Sequence, residues 1–102
     1  MNVAADESIR KLSRIDEIES RYYVRFMALD KPGVLAKIAG ILSKSNIGIA
    51  QVSQKERRKA KAVPIVMVVH EAKERCLREA LNYIDKMNII HEKSVAIRIE
   101  DV

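Results

Sequence analysis

The residues whose types and spacing could do chemistry are Asp30-Lys31-Pro32-Gly33-Val34-Leu35, joined further along by Asn46-Ile47-Gly48-Ile49. Lys31 precedes a proline and is biased to extended backbone, Pro32 suits the first position of a helix, and Gly33 has no side chain to shield the amides around it. A helix begun there presents free N–H groups and the positive end of its dipole, which favour a carboxylate or phosphate. The Asp30 carboxylate beside them could take an ammonium group. An amino acid carries both groups. The same residues also have a purely architectural use: Asp30 can cap the helix, Pro32 and Gly33 can shape the turn, and Asn46 can end the helix. Residue types and spacing leave both readings open.

Other chemistries find less support. Cys76 is the one cysteine, so no internal disulfide forms, and its place in a helical pattern suits a small half-buried residue better than a nucleophile. His70, read as the end of a strand, and His91, read as lying in a connection, share no metal-ligand spacing with Cys76, and no metal is expected. The net charge of +5 is concentrated in Lys55–Lys61, where five basic residues stand against Glu56. That run reads as a solvated turn. The strand expected to follow it, residues 62–70, has no aromatic side chain to stack on bases, and Tyr22, Tyr23 and Phe26 are explained by packing, so nucleic-acid binding is not expected. A phosphate-handling enzyme like the acylphosphatases would need an arginine-bearing loop where this chain has Asp30. With no apolar run near the roughly 20 residues of a membrane span and no signal-peptide pattern, a cytoplasmic protein with no membrane contact is the expectation.

Stepping outward from the turn, 102 residues of which 48% are hydrophobic suffice for one core. Residues 1–20 are polar without a sustained periodic face and read as a linker or the tail of a preceding domain. From Arg21 the pattern alternates, with Tyr22, Val24, Phe26 and Ala28 on one face of a strand and Tyr23, Arg25 and Met27 on the other. Val34, Leu35, Ile38, Ile41 and Leu42 define a helix from Pro32 to about Ser43. A second strand is expected over 47–53, and a third over 62–70, central and buried on both faces despite Pro64. A second helix is expected over 71–87, with Glu71 and Glu74 at its positive end and Leu77, Ala80, Leu81, Ile84 and Met87 as its stripe. A fourth strand is carried by Val95, Ile97 and Ile99. The order β-α-β-β-α-β with right-handed crossovers predicts an α+β, ferredoxin-like four-stranded antiparallel sheet with two helices on one face.

Asp30-x-Pro32-Gly33-Val34-Leu35-x-x-Ile38 with Asn46-Ile47-x-Ile49 resembles the signature of ACT domains, the amino-acid-sensing modules of metabolic enzymes. Over residues 18 to 102 the chain is similar to the C-terminal regulatory domain of bacterial homoserine dehydrogenases, most clearly at Arg21-Tyr22-Tyr23-Val24-Arg25-Phe26, Asp30 to Ala39, Val63 to Ala72 and Ile97-Arg98-Ile99-Glu100. The resemblance implies a tail or linker over 1–20 and an ACT regulatory domain over 21–102. It implies no catalysis by this chain, whose parent's NAD(P)-binding and catalytic residues would lie upstream; no Gly-x-Gly-x-x-Gly stretch occurs here. It further implies an amino-acid effector, threonine being the usual one in threonine and methionine biosynthesis, and a homodimer or higher homo-oligomer formed through the ACT sheet. Carried over by position, backbone N–H groups near Gly33, Val34 and Leu35, beside Pro32, would hold the effector carboxylate. Asp30 and Asn46 would hold its ammonium and hydroxyl groups, and Ile47 would line the pocket. The other readings are an ACT-like oligomerisation module that binds no ligand and a stand-alone ligand-sensing regulator.

Overall fold

The computed structural model describes residues 18–54 and 61–100; the lead-in up to residue 17 and positions 55–60 of the charged turn fall outside them. Six elements follow in order: β1 (Glu19–Leu29), α1 (Val34–Lys44), β2 (Ile49–Gln54), β3 (Ala62–Lys73), α2 (Glu74–Asp85) and β4 (Ile90–Ile99). They form one four-stranded sheet in the order β2-β3-β1-β4 with every pairing antiparallel. This is the expected ferredoxin-like α+β arrangement.

Alternation in β1 does what a period of two requires: Tyr22, Val24, Phe26 and Ala28 are all buried, while Tyr23 and Arg25 are exposed. The buried set meets Val34, Ile38 and Leu42 of α1 and Leu77, Ala80, Leu81 and Ile84 of α2 in one core, completed by Ile65, Met67 and Val69 of β3. Both helices therefore cover one face of the sheet. Leu35, expected on the buried stripe of the first helix, is 37% exposed. It sits one residue, about 100° of rotation, from Val34, and so turns off the core-facing side.

Several boundaries differ from expectation. β3 runs on past His70 to Lys73, because β1 reaches back far enough for Ser20 and Glu19 to pair with Ala72 and Lys73. Glu71 is consequently a strand residue, and α2 begins at Glu74, which is the acidic residue of its first turn. β4 starts at Ile90 rather than near Val95, with Glu92 opposite Met27 and Ile90 opposite Ala28. The polar run His91-Glu92-Lys93-Ser94 hides the alternation there, so His91 belongs to a strand and not to a connection. Ser94 fixes that start to the end of α2, since its N–H and its hydroxyl both donate to the Asp85 carboxylate at 3.0 Å. β2 begins at Ile49, two residues after the expected start, because Ile47 is used in ending α1.

β3 is central, as expected, but only one of its faces is closed. Val63, Ile65, Met67 and Val69 are buried, whereas Val66 and Val68 on the other face are half-buried. Pro64 lies just beyond Ile65, the last β3 residue paired with β2, so its missing N–H breaks no bond on that side. Across the open face, Tyr23 stands opposite Val68 on one neighbour and Ile97 on the other, and Arg25 stands between Val66 and Val95. Tyr23, Val95 and Ile97 are each more than a third exposed.

Candidate functional site

The turn between β1 and α1 is held by its own backbone. Asp30 N–H donates to Lys61 O at 2.9 Å, Lys31 N–H to Leu29 O at 3.1 Å and Val34 N–H to Lys31 O at 3.3 Å. Pro32 therefore belongs to this turn and not to the first helical position, which Val34 occupies. Gly33 is the cap residue, with φ 87° and ψ −12°, a left-handed conformation that costs a residue with a side chain about 1–2 kcal/mol. A Cβ built at Gly33 would meet nothing within 4 Å, so the backbone, and not crowding, is what calls for glycine.

The first bond of the helix runs from Lys37 N–H to Gly33 O at 3.0 Å. The N–H groups of Gly33, Leu35 and Ala36 have no backbone partner among the described residues. No side chain caps α1 and its first turn contains no acidic residue. Asp30 is thus not the cap that its position permitted. It is buried, 8% exposed, and accepts a hydrogen bond on Oδ1 from Gln54 Nε2 at 3.3 Å. A buried carboxylate and an uncapped positive helix end therefore belong to one turn, a pairing of charges suited to a zwitterion.

Asn46 and Ile47 lie at the other end of α1. Asn46 N–H donates to Ser43 O at 3.0 Å and Ile47 N–H to Leu42 O at 2.9 Å, with Asn46 at φ 59°. That pair of bonds around a left-handed residue is the Schellman ending of a helix, and the buried Ile47 and Leu42 are in position for its accompanying apolar contact. Asn46 and Ile47 also line a cleft of about 250 Å³ with Ala72 and Cys76, the cysteine being half-buried. Eleven helical residues separate this end from Gly33, about 16 Å at 1.5 Å per residue. No single amino acid spans that distance, so one chain brings Asp30, Gly33 and Leu35 together and leaves Asn46 and Ile47 apart from them. Since the Asn46 backbone is left-handed, Asn46→Gly should keep or raise stability, whereas Asn46→Ala should lose about 1 kcal/mol in urea denaturation. Equal losses for both variants would mean that the side chain, not the conformation, is what stabilises the turn.

Gln54 is a site residue that pattern reading missed. Its partner is 24 residues away, and the only signal is its register opposite the inward Ile65. Gly48 permits close packing: its carbonyl accepts from His70 N–H at 2.8 Å, and a Cβ there would lie 3.1 Å from the His70 ring. A further polar group missed by sequence reading sits where β1 meets β4, with Arg98 opposite Tyr22. The Tyr22 oxygen raises the Arg98 pKa above its ordinary value, opposed by desolvation and helped by Glu74 and Glu100. The approach of Tyr22 nonetheless falls short of hydrogen-bond geometry. Arg98 stays charged at physiological pH.

No cluster of three or more His, Cys, Asp or Glu side chains suited to a metal occurs among the described residues, and none of the described helices is long and apolar enough to cross a membrane. Residues 22–85 match the family model of the ACT domain. The chain is 36% identical over 89 residues to a homoserine dehydrogenase of Pseudomonas aeruginosa, covering 86% of this chain and 20% of that protein. A homoserine dehydrogenase of Mycobacterium tuberculosis is likewise 36% identical over 87 residues, covering 81% of this chain and 20% of that one. Among solved structures, a homoserine dehydrogenase from Thiobacillus denitrificans superposes with a TM-score of 0.76 at 33% identity, over 85% of this chain and 19% of that one. The ACT domain of a GTP pyrophosphokinase from Chlorobium tepidum shares the fold, with a TM-score of 0.59 at 15% identity, over 79% of this chain and 99% of that domain. The chain spans about a fifth of the length of the curated relatives it matches. Together with the βαββαβ sheet, these matches make the chain a member of the ACT domain family, a regulatory module homologous to part of homoserine dehydrogenase.

Proposed function

We propose that this domain senses a free amino acid, threonine foremost, for a cytoplasmic homoserine dehydrogenase in the route to threonine and methionine, and that it does so as a homodimer or higher homo-oligomer. The residues ahead of β1 would join it to a catalytic part. Dehydrogenase chemistry and its NAD(P) would belong to the four-fifths of the relatives' length that this chain does not span. The observation that carries the sensing role is the uncapped start of α1 beside the buried Asp30. There the effector carboxylate would accept from the N–H groups of Gly33 and Leu35, the adjoining Val34 N–H being engaged by Lys31 O. Asp30 would hold the ammonium group.

Asn46 and Ile47, about 16 Å away along α1, would complete the pocket from a second chain. An effector bound at that boundary favours the paired arrangement, and coupling of typically about 1–3 kcal/mol passes to the catalytic part. Isothermal calorimetry with threonine, isoleucine, methionine and serine tests this. A saturable heat with one of them is expected, and Asp30→Asn should weaken it roughly 10-fold, the worth of a hydrogen bond to a charged group. Absence of heat with all four at millimolar concentration would leave only a pairing role.

A further inference from the structure

The cleft lined by Asn46 and Ile47 is also the place where the chain enters the domain. Glu19 and Lys73, the first residue of β1 and the last of β3, pair with one another and belong to the same cleft wall. A ligand lying against Asn46 at the end of α1 therefore lies against the root of β1 as well.

That root is weakly held. Arg21 is the first residue of β1 to pair with β4, so among the described residues Glu19 and Ser20 have a strand neighbour on the β3 side alone. A register shift between Ser20 and Tyr22 sets them off from the regular ladder. Just ahead of them Ile18 is 41% exposed, and its carbonyl accepts from the Glu74 N–H at 3.4 Å, longer than the roughly 2.7–3.2 Å typical of such bonds. No side chain caps the start of α2 in its place. A strand end with so few buried contacts opens at low cost, whereas β1 from Tyr22 onward is anchored in the core.

We infer that this strand end is the element through which an effector acts on the catalytic part. A ligand in the Asn46 cleft closes the root of β1 against the ends of α1 and α2, and so fixes where the lead-in leaves the domain. The inference rests on the sensing role proposed above and states how that role is transmitted. The ligand binds the closed root better than the open one, and that difference biases the equilibrium. Contacts at the Asp30 turn alone, about 16 Å away along α1, would leave the root as it is.

Reciprocity requires that a loosened root weaken effector binding by the same factor. Position 74 allows the root to be loosened selectively. Glu74 is the first residue of α2, where proline is tolerated, and Lys73 before it has φ −68° and ψ 134°, the extended backbone that precedes a proline. Glu74→Pro removes the N–H that the Ile18 carbonyl accepts from. Glu74→Ala loses the same side chain, with its pairing to Arg78 and Arg98, but keeps the N–H.

The test is calorimetry of the full 102-residue chain and of both variants with threonine, isoleucine, methionine and serine, joined to backbone hydrogen exchange of the parent. For the amino acid that binds, saturation should slow exchange of the Glu74 amide ~10-fold, and Glu74→Pro should bind it ~10-fold more weakly than Glu74→Ala. The exchange measurement uses the parent alone and decides the matter even where the proline variant fails to fold. Binding that leaves Glu74 exchange unchanged, or equal affinities of folded Glu74→Pro and Glu74→Ala, overturns this inference and leaves the sensing role standing. No heat with any of the four amino acids overturns both.

Discussion

Replacing Ile97 by aspartate should leave the chain monomeric. Ile97 is 56% exposed and lies beside Tyr23 and opposite no other strand, since β4 pairs with β1 alone among the described elements. Tyr23, Val68 and Ile97 form an apolar band across the open face, with Val66 and Val95 alongside. In a pair related by twofold symmetry each substitution counts twice, once from either chain. Burying an unpaired carboxylate at the centre of such a face costs several kcal/mol even after relaxation, so the dimer dissociation constant should rise at least ~100-fold. Sedimentation velocity over a range of protein concentrations reads this directly. The monomer itself should melt normally, because an exposed substitution away from packed features usually stays within about ±0.5 kcal/mol. Effector heat at the Asp30 turn should fall together with the dimer, since the proposed pocket needs two chains. A variant that stays dimeric would place the contact on a sheet edge, at β2 or β4, and not on the open face.

Phe26→Ala should cost about 3–5 kcal/mol, a large part of the 5–15 kcal/mol available to a domain of this kind. Phe26 is fully buried at the middle of β1, paired with Ile65, and it lies under both helices in the core that Ile38, Leu42 and Ile84 complete. Met27, the next residue, points to the open face and is half-buried. Met27→Ala in the isolated chain should therefore cost roughly 1 kcal/mol, in proportion to the smaller area it removes from contact. The contrast, read from urea midpoints at equal slope, tests the register of β1 itself, because a shift of one residue exchanges the two faces. Comparable losses at the two positions would mean that the open face is as closed as the core, as it would be in a dimer too tight to dissociate under the assay conditions.

Most of the fold was legible because its signals are local. The alternation of Tyr22, Val24, Phe26 and Ala28 and the stripe Val34, Ile38 and Leu42 each record in a few adjacent residues which side meets the core. The misplaced boundaries have a common cause. His91-Glu92-Lys93-Ser94 pairs with β1 at a partly exposed edge, where burial does not demand apolar residues. Glu71 to Lys73 continue β3 because β1 extends to meet them, a fact about a segment far away in the chain.

The residue types of the turn at Asp30 left a zwitterion site and a merely architectural turn both open, and the chain belongs to the ACT family that such a turn resembled. The amino-acid sequence by itself determined the order of elements, the inward face of β1, most of the buried stripe of each helix and the glycine at the head of α1, since these depend on side-chain period and backbone freedom within one segment. Tertiary structure alone decided that Gln54 meets Asp30, that Arg98 faces Tyr22, and that a helix's length separates Gly33 from Asn46. Each of those depends on strand register or on distance along a packed element, quantities set by how separate segments are brought together and recorded in none of them individually.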